Sequence, residues 1–125
     1  MEDNKADVLL VEEAIRAQAI RAELQVITEG EEAIRRIERG AADWIPDLLI
    51  LDLNLPKRSG LEILACIRQS VEYAHVPVLI MTSSDAEKDR QETTRLGASG
   101  YFRKPSGLDE FLQIGVAIKA LLVSR

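Results

Sequence analysis

Short apolar strands alternating with helices predict an α/β fold: three layers, α/β/α, with a parallel sheet covered on both sides. Two runs carry this most clearly. Asp47-Leu48-Leu49-Ile50-Leu51 and Pro77-Val78-Leu79-Ile80-Met81 are nearly unbroken apolar segments, as a strand buried on both faces requires. The third observation is the order, which is helix, then strand–helix four times over. At 125 residues the chain predicts a single domain spanning 1–125 with one core.

The elements follow in sequence. Val8, Leu9, Val11, Ala14 and Ile15 make a helical stripe whose start Asp3 or Asn4 could cap. Leu24 to Thr28 is a short strand. A second helix begins at Gly30 and Glu31, turns Ala33, Ile34 and Ile37 inward, and stops near Gly40. Strand 47–51 comes next, then a loop holding Pro56. A helix over 59–71 presents Leu61, Ile63, Leu64 and Ile67. Strand 77–81 runs into Thr82-Ser83-Ser84-Asp85. A polar helix over 86–96 closes at Gly97, strand 100–103 leads to Lys104-Pro105, and a last helix covers 108–122.

Composition excludes several classes. The net charge of −5 argues against a general nucleic-acid or membrane-surface binder. No apolar run approaches the roughly 18 residues that cross a bilayer. The polar start "MEDNKAD" is not a signal peptide, and the one cysteine, Cys66, makes no internal disulfide. These features predict a cytoplasmic protein, with no effector domain in the chain.

The chemistry gathers at one sheet edge. In a parallel α/β sheet, ligands bind outside the carboxyl ends of the strands. Asp52, Thr82 and Lys104 each follow a strand, and Glu2-Asp3 stand just before the first helix. Clustered carboxylates repel unless a cation joins them. Mg²⁺ suits such a set, with a few carboxylates, waters and a phosphate oxygen, and the backbone carbonyl of Asn54 could add a ligand. An aspartate beside Mg²⁺ and a lysine is set to attack a phosphoryl group. Thr82 could then hydrogen-bond the phosphate.

The acid pair in "EDN", the "LDLNLP…G" loop, the "MTSSD" strand end and the "GYFRKP" segment occur in order on successive strand ends. In this the chain resembles the receiver domain of two-component response regulators along essentially its whole length. The resemblance implies a flavodoxin-like sheet in the order 2-1-3-4-5, the strand order of receivers. It implies Asp52 as phosphoacceptor and Glu2, Asp3, Asp52 and Asn54 around Mg²⁺, with Asp3 a direct ligand and Glu2 one acting through water. Thr82 becomes the switch hydroxyl, Lys104 the phosphate-pairing lysine and Tyr101 the aromatic switch. Lys104–Pro105 becomes a cis candidate. A histidine kinase or phosphotransfer protein would be the donor. The face made by helix 86–96, strand 100–103 and the last helix would meet a partner or a second copy. Self-catalysed transfer and later loss of the phosphoryl group are expected, not multiple turnover. "RGAADWIPD" and "LDLNLP" look most like small stand-alone receivers serving phytochrome-type kinases.

One feature departs from the family. Met1 abuts Glu2-Asp3, so the chain is expected to lack the apolar first strand that the family places before that pair. Losing about five buried apolar residues at roughly 1.5–3 kcal/mol each forfeits on the order of 10 kcal/mol, a whole domain's stability. A mis-assigned or trimmed start, strand addition by another chain, or a closed-up sheet would each explain it. Two other readings stand beside the receiver. One is a phosphorylation-silent interaction module with the same fold. The other is an Asp-x-Asn phosphohydrolase of the haloacid-dehalogenase type, which would need its nucleophile near the N-terminus and a lid domain.

Overall fold

The structure is a computed structural model, and it describes residues 5–18, 30–39, 47–52, 60–71, 73–83, 86–105 and 107–123. The elements are α1 (Lys5–Ala17), α2 (Gly30–Arg39), β1 (Leu49–Leu51), α3 (Gly60–Gln69), β2 (Val78–Thr82), α4 (Glu87–Arg95), β3 (Gly100–Arg103), α5 (Leu108–Phe111) and α6 (Ile114–Val123). The described strands form an open parallel sheet in the order β1-β2-β3. Leu51 lies opposite Ile80, and Ile80 opposite Tyr101. This is consistent with the last three strands of a flavodoxin-like topology. The expected strand 24–28 lies outside the described residues.

Alternation along the strands feeds two cores. Leu49, Leu51, Val78 and Ile80 pack with Ile63, Leu64 and Ile67 of α3 and Ala33 and Ile37 of α2. Leu79 and Met81 pack on the other face with Val11 and Ala14 of α1 and Ile114 and Ile118 of α6, and Leu48 and Ile50 border them. All five residues of β2 are buried, which explains its unbroken apolar run. The sheet is thus covered on both sides by helices, as the strand pattern predicts.

Two expectations need correction. The last helix is not continuous over 108–122: α5 and α6 are separated by a turn at Leu112–Gln113. Bonds from Gly115 to Leu112 and from Val116 to Gln113, each spanning three residues, tighten the chain there. The tightening suits two constraints. Phe111 meets Phe102 edge-on at 5.9 Å. Gly115 lies so close to α1 that a Cβ there would stand 2.6 Å from the Ala14 carbonyl oxygen. The second correction concerns Lys104–Pro105. No peptide bond among the described residues is cis, and the intrinsic trans preference of X–Pro, about 0.5–1 kcal/mol, prevails there.

Candidate phosphoacceptor site

Because the strands are parallel, their carboxyl ends share one edge, and side-chain alternation decides which residues meet there. Ile50 borders the core on the α1/α6 side. Asp52, two residues further along, emerges on that side. The same count along β3 runs from Phe102, which also borders that core, to Lys104. On α1, Asp7 precedes the buried Val11 by one helical turn, so it shares Val11's face. Three elements thus aim one charged side chain each at one crevice.

The distances bear this out. Lys104 Nζ donates to Asp52 Oδ2 at 2.7 Å. It also stands 2.7 Å from Asp7 Oδ2, an ion pair. The Asp52 side chain is only 6% exposed, Asp7 14% and Lys104 15%, so water screens the cluster weakly. The backbone holds the lysine in place. Thr82 pairs with Arg103 in the ladder, and the Lys104 N–H donates to the Thr82 carbonyl at 2.7 Å. The ends of β2 and β3 are therefore stitched together beyond the last rung.

Thr82 is fully buried. In the alternation of β2 it falls with Val78 and Ile80, on the face opposite Asp52's. Tyr101 is half-buried against that same core. The Arg90 guanidinium of α4 sits over its ring, 4.8 Å from the centroid. The hydroxyl and the aromatic ring therefore share the side of the sheet that leads to α4. The charged cluster occupies the α1 side.

The structure brings Asp52 and Lys104 into contact and sets Thr82 beside Lys104 through the backbone. Glu2, Asp3 and Asn54 lie outside the described residues. Among the described residues no three His, Cys, Asp or Glu side chains form a metal-holding group. The donor chemistry nevertheless suits a hard divalent cation: Asp52 is a buried carboxylate, and a second carboxylate, Asp7, meets the same ammonium. Asp7 is the site residue that the sequence reading missed. An acid in the first turn of a helix is explained by the helix dipole alone. Its spacing from Val11 and Ala14, one and two turns on, was the available signal.

Comparison with known proteins matches this geometry. A family model described as the response regulator receiver domain matches residues 1–115. Response regulator Rcp1 of Synechocystis sp. is 32% identical over 123 residues, spanning 96% of this chain and 84% of Rcp1. The crystal structure of the phosphorylated cyanobacterial phytochrome response regulator RcpA superposes with a TM-score of 0.88 at 33% identity, over 99% of this chain and 91% of that one. The Mn²⁺-bound form of Rcp1 gives 0.84 at 32% identity, over 96% and 88%. The receiver domain of sensor histidine kinase PA1611 from Pseudomonas aeruginosa, with magnesium in its active-site cleft, gives 0.69 at 25% identity, over 94% and 93%. With a buried strand-end aspartate held on a lysine and these likenesses, the chain belongs to the response regulator receiver domain family, whose members take a phosphoryl group on an aspartate beside a divalent metal and work with a histidine kinase or phosphotransfer protein.

Proposed function

We propose that Asp52 is the phosphoacceptor and Lys104 its charge partner. The observation that carries this is the 2.7 Å contact from Lys104 Nζ to Asp52 Oδ2 at the sheet's carboxyl edge. Asp52 is buried against the Lys104 ammonium, a partner that favours the carboxylate form able to attack an incoming phosphorus. Lys104 orients that carboxylate and then pairs with the phosphoryl oxygens. Asp3 and the Asn54 carbonyl, with Glu2 acting through water, would join Asp52 in holding Mg²⁺. The bound ion supplies charge neutralisation on the transferred group.

Phosphorylation adds roughly −1.5 to −2 charges at one edge. Thr82, level with Lys104's anchoring hydrogen bond, moves toward the new charge, and Tyr101 turns inward behind it. That turn takes the ring from beneath Arg90, so the α4 surface changes with it. The output is a contact made by the face of α4, β3 and α6, with a partner protein or a second copy and not with nucleic acid. Among the described residues no helix is long and apolar enough to cross a membrane, and we place the protein in the cytoplasm. RcpA and Rcp1 make a phytochrome-type kinase the favoured donor class.

Intact mass spectrometry after incubation with Mg²⁺ and acetyl phosphate tests the acceptor. The wild type should gain one phosphoryl mass, and Asp52→Asn should gain none. An undiminished adduct on Asp52→Asn rejects the assignment.

A further inference from the structure

We propose that Asp7 is a positioning residue for Lys104 that shortens the life of the phosphorylated state. The inference rests on the acceptor role of Asp52 and goes beyond it. Its basis is the shared ammonium: Lys104 Nζ lies 2.7 Å from Asp52 Oδ2 and 2.7 Å from Asp7 Oδ2, equidistant between α1 and the end of β1. Asp7 and Lys104 are 14% and 15% exposed, so this is not a solvent-screened surface pair, whose worth would be small.

The consequence follows from what changes on phosphorylation. The Asp52 carboxylate becomes an acyl phosphate, and its negative charge moves outward onto the phosphoryl oxygens. The favourable place for the ammonium moves with it. Asp7 does not change. Its carboxylate keeps a claim on the same ammonium, so the phosphoryl group receives a divided partner and faces a fixed negative charge nearby. Hydrolysis then proceeds as in any acyl phosphate. A water oxygen bonds to phosphorus and the bond from phosphorus to the Asp52 oxygen breaks. That electron pair returns to the carboxylate, inorganic phosphate departs, and the water's proton passes to solvent or phosphate. In the loose transition state charge leaves the phosphoryl oxygens for the departing Asp52 oxygen, so a weakened lysine–phosphoryl pair raises the phosphorylated ground state more than the transition state and speeds the loss.

Asp7 is anchored for this role. It lies in the first turn of α1, and α1 is seated against α6, where Gly115 permits near contact with the Ala14 carbonyl. The carboxylate is thus delivered from a rigid helix and not from a loop.

The test is decay of the phosphoryl adduct, followed by intact mass after the donor is removed, on wild type, Asp7→Asn and Asp7→Glu at one saturating Mg²⁺ concentration. Asp7→Asn keeps the shape and removes the charge, and it should lengthen the half-life about fivefold, the scale of one weakly screened unit charge. Asp7→Glu restores the charge and should return the half-life toward the wild type. Thermal midpoints of the three proteins separate this from a packing role, which would lower stability without lengthening the half-life. A half-life unchanged or shortened in Asp7→Asn overturns the proposal while leaving Asp52 as acceptor. A wild type that forms no adduct at all overturns both.

Discussion

Two cations, at opposite edges of the sheet, each hold distant segments together, and they do so differently. At the carboxyl edge Lys104 bridges two carboxylates, from α1 and from the end of β1. At the other edge the Arg68 guanidinium of α3 donates, among the described residues, to backbone carbonyls. Its Nη1 reaches Ala74 and Val76 at 3.0 and 2.8 Å, and its Nε and Nη2 reach Gly97 at 3.0 and 2.7 Å. Those carbonyls belong to the loops that lead into β2 and β3. Burial pushes the guanidinium below its ordinary value, but an arginine stays charged. A neutral carbonyl presents the same dipole in every state of the protein, so Arg68 is a fixed clasp. A carboxylate can be converted to an acyl phosphate, so on the proposed function a partner of Lys104 changes with the chemistry. A flexible lysine suits an edge proposed to switch, and a planar, five-donor arginine suits a fixed one.

Breaking each cation should therefore give opposite signatures. Lys104→Met should slow phosphorylation by small donors on the order of a hundredfold, the scale of losing one charged donor at a phosphoryl group, with the fold retained by circular dichroism. Arg68→Met should do the reverse. Urea unfolding should show a loss of about 2 kcal/mol, since several charge-assisted hydrogen bonds go, while the folded protein keeps its phosphorylation rate. Equal loss of rate and stability in either variant would erase the distinction between the two edges.

Two smaller effects sharpen it. Gly115→Ala forces a methyl to within 2.6 Å of the Ala14 carbonyl oxygen. The helices must part, at a cost of about 1–2 kcal/mol by urea unfolding. Because α1 carries Asp7, phosphoryl half-life should shift as well, which Arg68→Met should not cause. The least effect concerns Cys66, whose thiol is held above its usual value by burial first and by the Glu38 carboxylate second. A raised value means less thiolate at about pH 8, so alkylation should be slower than in urea-unfolded protein. Equal rates would show that the α3 face is open to solvent.

Much of this was legible in the sequence because burial writes itself into local pattern. The apolar runs at 47–51 and 77–81 became β1 and β2 within two residues at each end, since a strand covered on both faces has little other composition open to it. Asp52 and Lys104 were legible as strand-end residues that parallel topology gathers on one edge. Asp7 was missed there, and three features of the fold were not legible. The break between α5 and α6 leaves the apolar period intact, and its cause is a long-range approach of Gly115 to α1. Arg68 bonds carbonyls, which have no sequence identity. The end of α4 was read from Gly97 alone, but its geometry is a double cap. Gly97, at φ +92°, donates to Thr94, and Ala98 donates to Thr93. That geometry also brings the Gly97 carbonyl to Arg68.

The central claim is that Asp52, and not a neighbouring carboxylate, receives the phosphoryl group. Asp7, held on the same ammonium, is the natural rival. The direct measurement is borohydride reduction of the phosphorylated protein, which converts the modified aspartate to homoserine, followed by peptide sequencing in the mass spectrometer. Homoserine at position 52 and nowhere else is the expected result. Homoserine at position 7, or at any other acid with position 52 intact, would contradict it.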